Sequence, residues 1–322
     1  MRTRKPGGGN DMVITSSPMN GKMKPIPCIL LTLCIFMGCM GDVPPEMNEA
    51  EIQDGETVSQ ETELSEQYPE CDFHEDEPPL PAEDMSITVI YDNNEYDPRL
   101  ETDWGFSCLI RGCEKTILFD TGTDGHRLLR NMEKLDVDPG EIDVIVLSHI
   151  HGDHTGGLAT VLRKKSSVIV YVLQSFPFTF KEQIREYGAE VIAVSNPVRI
   201  CPHVYSTGEI GGLIDEQSLV IETDRGLVVI TGCAHPGIVL IIERAHDLLQ
   251  TDLYFVMGGF HLNDTERTRI ETIISDFERL GVRYAGPCHC SGNTTRELFE
   301  NAYGQHYISI GAGTVIYLRE ME

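Results

Sequence analysis

From residue 85 onward the chain alternates short apolar runs with amphipathic segments, the pattern of strands and helices built around one core. Runs rich in Val, Ile and Leu predict strands over 86–91, 105–110, 116–119, 144–147 and 168–173. A second series is expected over 190–194, 219–222, 227–230, 253–257, 283–285 and 307–310. Helices fit between them over 125–135, 156–164, 180–187, 237–249, 265–280 and 295–303. Thr294 stands three residues before Glu297, the spacing of a capping box for the last of these. No internal repeat stands out at a fixed period. One large α/β or α+β domain over 85–322 is expected.

The first 84 residues read differently. Lys22 and Lys24 precede an apolar run over 26–40, about fifteen residues where a spanning helix needs about twenty. That length fits the core of a signal peptide, here placed over 1–39. Phe36, Met37, Gly38 and Cys39 resemble a lipobox, with Phe36 where Leu is usual. Lipidation of Cys39 would anchor the mature chain to a membrane outside the cytoplasm; an uncleaved N-terminal anchor is the alternative. Residues 40–84 carry sixteen acidic side chains and no Lys or Arg, the composition of a disordered, solvated linker. Export would permit disulfides, so Cys108 and Cys113 read either as a cross-strand bridge or as two small buried thiols.

Composition narrows the partners. Hydrophobic residues make up 41% of the chain, enough for a sizeable core, and the formal net charge is -26. So acidic a chain lacks the clustered Lys and Arg of a nucleic-acid surface, which leaves a small-molecule substrate as the expected partner.

The densest chemistry follows the buried strand 144–147, where the chain reads Ser148, His149, Ile150, His151, Gly152, Asp153, His154. In extended backbone His149 and His151 project to one side, and Gly152 permits a turn that brings Asp153 and His154 back toward them. Three imidazoles and a carboxylate suit a borderline divalent ion, Zn²⁺ first, with Mn²⁺ or Fe²⁺ as further candidates. As ordinary loop residues such groups would be costly to bury without partners.

This run resembles the HxHxDH motif of the metallo-β-lactamase superfamily. The resemblance covers approximately 85–322 and implies a four-layer αββα sandwich, of α/β (α+β) class, with two divalent metal ions bound at one edge. Leu118 to Gly122 resembles the superfamily's first motif, whose Asp, here Asp120, supports the site from behind a ligand. Thr231 to Gly237 and Gly286 to Gly292 resemble the motifs that supply one further ligand to each ion, here His235 and His289. One ion would then take His149, His151 and His235, the other Asp153, His154 and His289. Cys233, Cys288 and Cys290 lie beside these histidines, contain no CxxC pair, and read as packing residues.

One departure stands out. Many members place a metal-bridging Asp where this chain reads Met257, Gly258, Gly259, Phe260, His261, Leu262. Together with Gly232 to Ile238 and Pro287 to Cys290, that stretch resembles the branch named for a dihydropterin-linked ribofuranosylaminobenzene phosphate synthase. His261 there would contact a metal, or touch substrate as an acid or hydrogen-bond donor. The reaction implied is hydrolysis of a small phosphorylated or ester-type substrate by activated water, with Asp153 and His261 as catalytic residues. Backbone N–H groups after Ser291, Gly292 and Asn293 would hold a phosphate or carboxylate, or simply cap a helix. Two other functions are compatible: a dihydropterin diphosphate-dependent transferase related to tetrahydromethanopterin synthesis, and a non-catalytic ligand-binding protein.

Overall fold

A computed structural model describes residues 78–321. Alternation along the strands decides the layers. In β4 (Val144–Val146), Val144 and Val146 enter a core between two sheets, while Ile145 and the following Leu147 face outward onto helices. In β10 (Gly226–Thr231), Val228 and Ile230 join the same inner core, while Leu227 and Val229 meet helices on the opposite side. Each sheet is apolar on both faces and must be covered twice, and the solution is a four-layer αββα sandwich.

The first sheet contains β1 (Ser86–Tyr91), β2 (Ser107–Arg111), β3 (Ile117–Phe119), β4, β5 (Ile169–Leu173), β6 (Glu190–Val194) and β13 (Val315–Tyr317), in the order β13-β1-β2-β3-β4-β5-β6. Helices α1 (Gly125–Lys134), α3 (Leu158–Lys164) and α4 (Phe178–Glu186) cover it through Leu128, Met132, Leu158, Val161, Leu162 and Ile184. The second sheet contains β7 (Val198–Cys201), β8 (Val204–Ser206), β9 (Leu219–Thr223), β10, β11 (Leu253–Gly259) and β12 (Tyr284–Cys288), in the order β12-β11-β10-β9-β8-β7. Its cover is α5 (Ile238–Leu249), α6 (Arg267–Arg279) and α7 (Asn293–Tyr303).

Strand direction positions the site. β3, β4 and β5 run parallel, as do β10, β11 and β12. Within each sheet, the carboxyl ends of these strands therefore open on one edge, where loops can carry polar groups without entering the core.

Several expectations are corrected. The stretch 307–310 forms no strand; a single bridge joins Tyr307 to Ala285, because the chain is already curving away toward β13. The capping box at Thr294 does not form: α7 begins a residue earlier, at Asn293, with Gly292 as an N-cap that has no side chain to contribute. The helix expected over 156–164 is α3, which starts at Leu158, and a single turn, α2 (Gly152–Thr155), precedes it. β7, β8 and β13 had no counterpart in the sequence reading, being short and mixed in polarity. The linker also ends sooner than 84. Leu80 pairs with β9 and Ala82 is fully buried, because these two apolar residues find a core that the acidic run before them cannot enter.

Cys108 and Cys113 are free thiols, and no bridge joins them. Cys108 points from β2 into the inner core, whereas Cys113 lies past the turn at Gly112 with its sulfur 3.8 Å from Met85 Sδ. The expected signal peptide over 1–39, with Cys39, and the expected linker up to residue 77 lie outside the described residues. Among the described residues, no helix is long and apolar enough to cross a membrane.

Candidate metal centre

His149 stands three residues past β4 and is fully buried. Its Nδ1 lies 2.9 Å from Ser148 Oγ, which leaves Nε2 facing His151 Nδ1 at 3.2 Å. His151 ends the extended stretch, and α2 then turns Asp153 and His154 back over it. The turn does not depend on Gly152 being glycine: its φ is not positive, and nothing lies within 4 Å of where a side chain would stand.

Asp153, His154 and His289 form a triangle of donor atoms. His154 Nε2 is 3.3 Å from His289 Nε2, and Asp153 Oδ2 is 3.6 Å from the former and 3.4 Å from the latter. A tetrahedral ion with bonds of about 2.0–2.2 Å to nitrogen and oxygen spaces its donors about 3.3–3.6 Å apart, so this triangle fits a divalent cation. The second group is looser. His149 shares a cluster of donor atoms, all within 4.8 Å of one another, with His151 and Asp153, and another with Cys233 and His235. No such cluster joins His151 to His235, although their rings pack 4.9 Å apart. Borderline nitrogen donors backed by one carboxylate match Zn²⁺ or a neighbouring transition metal better than Mg²⁺ or Ca²⁺.

Three of the candidate ligand rings are held from behind. Asp120, the last residue before the turn that follows β3, accepts hydrogen bonds from Ser148 N and Ser148 Oγ and lies 2.6 Å from His154 Nδ1. Glu216 does the same for His235: one oxygen accepts from Cys233 N and Ala234 N at 2.8 Å each, the other from His235 N at 3.0 Å and Nδ1 at 2.9 Å. Asn93 Oδ1 stands 2.9 Å from His289 Nδ1, and Asp92 accepts from the His289 backbone at 3.1 Å. Such contacts fix ring tautomer and orientation, so that the free nitrogen faces the centre.

The backbone is under strain here. Asp120, Ala234, His261 and His289 all adopt positive φ, between 47° and 60°. Left-handed conformations of this kind persist where surrounding contacts overdetermine them, and they cluster at functional sites. Gly232 shows why glycine is needed between them: a side chain there would collide with Ser148 Oγ.

Burial governs the electrostatics of the metal-free protein. It pushes His149 and His154 down to about 3, helped in each case by a neighbouring imidazole. Asp120 is pushed up to about 7, also by burial. Glu216 is as deeply buried, yet the hydrogen bond from His235 and the charge of His149 overcome that cost and hold it down to about 2. In Asp153, burial is likewise outweighed by the hydrogen bond from His289 and the charges of His154 and His289, so its carboxylate stays ionised.

Two residues define the rim. Phe260 is buried against Phe277 and Phe299, at centroid distances of 5.5 and 5.6 Å, which turns the adjacent His261 out toward solvent. Its ring lies 4.4 Å from that of His235. Across the site Trp104, half-exposed, lies 4.9 Å from the His289 ring.

The sequence reading missed Glu216, Asp92, Asn93 and Trp104, and it placed Cys233 in the packing. Asp92 and Asn93 follow the apolar strand β1, the same strand-end signal that marked His149. Nothing local marks Glu216, which meets 233–235 only once β9 and β10 pair in the second sheet. Cys233 is buried as that reading expects, and its sulfur also stands 3.2 Å from His154 Nε2, with Glu216 fixing the backbone of 233–235.

Fold, site and sequence agree on one class. The model of the metallo-beta-lactamase superfamily matches residues 105–247, and the chain belongs to that superfamily. Within it, the chain is 30% identical over 278 residues to the 7,8-dihydropterin-6-methyl-4-(beta-D-ribofuranosyl)-aminobenzene-5'-phosphate synthase of Methanocaldococcus jannaschii, covering 71% of this chain and 95% of that protein. The crystal structure of Tm1679, described as a metal-dependent hydrolase of the beta-lactamase superfamily, superposes with a TM-score of 0.61 at 28% identity, over 72% of this chain and 98% of that one. The metallo-beta-lactamase fold protein YhfI from Bacillus subtilis shares the fold at 15% identity, with a TM-score of 0.53 over 72% of this chain and 99% of that one.

Proposed function

We propose that the chain is a two-metal hydrolase, with Zn²⁺ as the first candidate ion, acting on a small phosphorylated or ester-type substrate. The observation that carries this reading is the set of convergent donors whose far sides are fixed by Asp120, Glu216 and Asn93. One ion would be held around His149, His151 and His235, the other by Asp153, His154 and His289. Ions so held acidify water and withdraw charge from a phosphoryl or acyl oxygen. Asp153, ionised and only partly covered, offers an oxygen that accepts a proton from the attacking water. His261, at the rim, is placed to donate to the departing oxygen.

A second reading is supported by two observations. The Methanocaldococcus relative is a synthase, and the exposed Trp104 beside His289 offers a face on which a flat aromatic substrate stacks. That reading is a transferase joining a dihydropterin diphosphate to an aminobenzene ribotide. For location, we carry forward a lipid anchor at Cys39 outside the cytoplasm; fatty-acid labelling no greater in the wild type than in Cys39→Ala refutes it.

Metal analysis of the purified protein with a panel of phosphomonoester, phosphodiester, thioester and lactone substrates separates the readings. The hydrolase predicts turnover that is abolished in His151→Ala. In His261→Ala, turnover falls more than metal content, whereas loss of a metal equivalent identifies His261 as a ligand. Diphosphate release that needs both a pterin and an aminobenzene partner supports the transferase, and bound metal with no turnover of any kind overturns both.

A further inference from the structure

We propose that Cys233 is a thiolate ligand shared by the two metal positions. The inference rests on the two-metal reading above. Its first support is position. Cys233 Sγ belongs to one cluster of donor atoms with Asp153, His154 and His289 and to another with His149 and His235, each within 4.8 Å throughout. Asp153 also reaches both positions, through His154–His289 and His149–His151, and Cys233 complements it on the His235 side.

The second support is charge. Two divalent ions bring four positive charges into a buried site, and the ligand histidines contribute none in return. Asp153 supplies one negative charge, and the stretch 257–262, where a bridging Asp is usual, supplies no carboxylate. Asp120 and Glu216 sit behind the histidines, hydrogen-bonded to them. A thiolate between the positions provides the missing anion, and thiolate is a good ligand for Zn²⁺.

The third support is the way the side chain is held. Cys233 is 3% exposed, between Gly232, whose lack of a side chain lets the loop press against Ser148, and Ala234, at φ 60°. Glu216 accepts from the N–H of Cys233, Ala234 and His235 in succession, so one carboxylate sets the direction of both the Cys233 sulfur and the His235 ring. With the His154 Nδ1 proton directed at Asp120, its Nε2 lone pair faces Cys233 Sγ at 3.2 Å. In the metal-free protein a hydrogen bond with Cys290 and burial keep this thiol protonated. An entering ion displaces that proton to solvent as the thiolate binds.

Cobalt substitution tests this without a substrate. Protein stripped of metal is titrated with Co²⁺ while bound equivalents and the near-ultraviolet spectrum are followed. Wild type is expected to bind two equivalents and develop the intense sulfur-to-cobalt charge-transfer band of a thiolate ligand. Cys290→Ser keeps the band, whereas Cys233→Ser loses it and binds cobalt about 10–100-fold more weakly. Two bound equivalents without the band in wild type overturn the inference while leaving the two-metal reading intact. A band that survives in Cys233→Ser and disappears in Cys290→Ser assigns the ligand to Cys290 and also overturns it. Failure of wild type to bind cobalt removes the two-metal reading and this inference together.

Discussion

Replacing Glu216 by Gln removes one charge and almost no volume, so its effect isolates what the carboxylate does for His235. In Glu216→Gln the amide oxygen still accepts from Cys233 N and Ala234 N, while the amide nitrogen is turned toward His235 N and Nδ1, which lie at 3.0 and 2.9 Å from the wild-type carboxylate. Two acceptor contacts become donor facing donor. A hydrogen bond to a charged group contributes about 1.5–3 kcal/mol, so losing two gives a destabilisation of roughly 3–6 kcal/mol. Linkage gives a similar size: the shift of Glu216 from 4.5 to about 2 corresponds to about 3 kcal/mol. Because the folded value lies below the unfolded one, this stability is present above pH 4.5 and is lost as pH falls through about 2. Denaturant unfolding of metal-stripped wild type and Glu216→Gln at pH 7 measures the difference, and a series down to low pH should show it closing. A parallel zinc titration should show affinity lowered about 10–100-fold. A variant within about 1 kcal/mol of wild type that binds zinc equally well would refute the reasoning, since an unneeded acceptor leaves no such mark.

Two further outcomes follow from the same geometry. Asn93→Ala frees the His289 ring, and we expect one metal equivalent to weaken about 10–100-fold while the other is retained, read by equilibrium dialysis; equal loss of both would show that Asn93 supports the whole fold. In the metal-free protein, His149 and His154 stay neutral down to about 3, whereas unfolded histidine takes a proton near 6.5. Asp120 opposes them by taking up a proton in the folded state near 7. The unfolded state thus binds about one proton more between pH 6.5 and 4.5, and these three groups make stability fall by about 1.4 kcal/mol per unit as pH drops. Thermal unfolding after chelation checks the sign, and a melting temperature that rises on acidification over that window contradicts it.

Much of the centre was legible because its residues crowd the ends of apolar strands. His149, His151, Asp153 and His154 occupy six consecutive positions, and a run that polar after β4 has few bland explanations. His235 and His289 became visible only through resemblance, since each stands alone in its loop. Glu216 could not be read at all. It lies in a polar stretch before β9, and its three N–H partners belong to a loop after β10, so its role exists only once the second sheet is formed. The four layers were implied by the resemblance alone, since 144–146 and 227–230 are apolar throughout and only the folded sheets assign their residues to inner and outer faces. The short strands β7, β8 and β13 were not legible, because three or four residues of mixed polarity carry no period. The nearness of Cys233 to the histidines was not legible, because spacing tests cysteines for pairs, whereas its neighbours are histidines brought from distant loops.

The sequence contains a single tryptophan, and the fold puts it against His289. Every indole photon the protein emits therefore originates at the mouth of the site, with no background from elsewhere in the chain. Binding of a quenching ion such as Co²⁺, closure of an aromatic ligand over the indole, and release of either can be followed in real time on unlabelled wild-type protein. Trp104 thus gives the centre a built-in optical reporter, usable before any substrate has been identified.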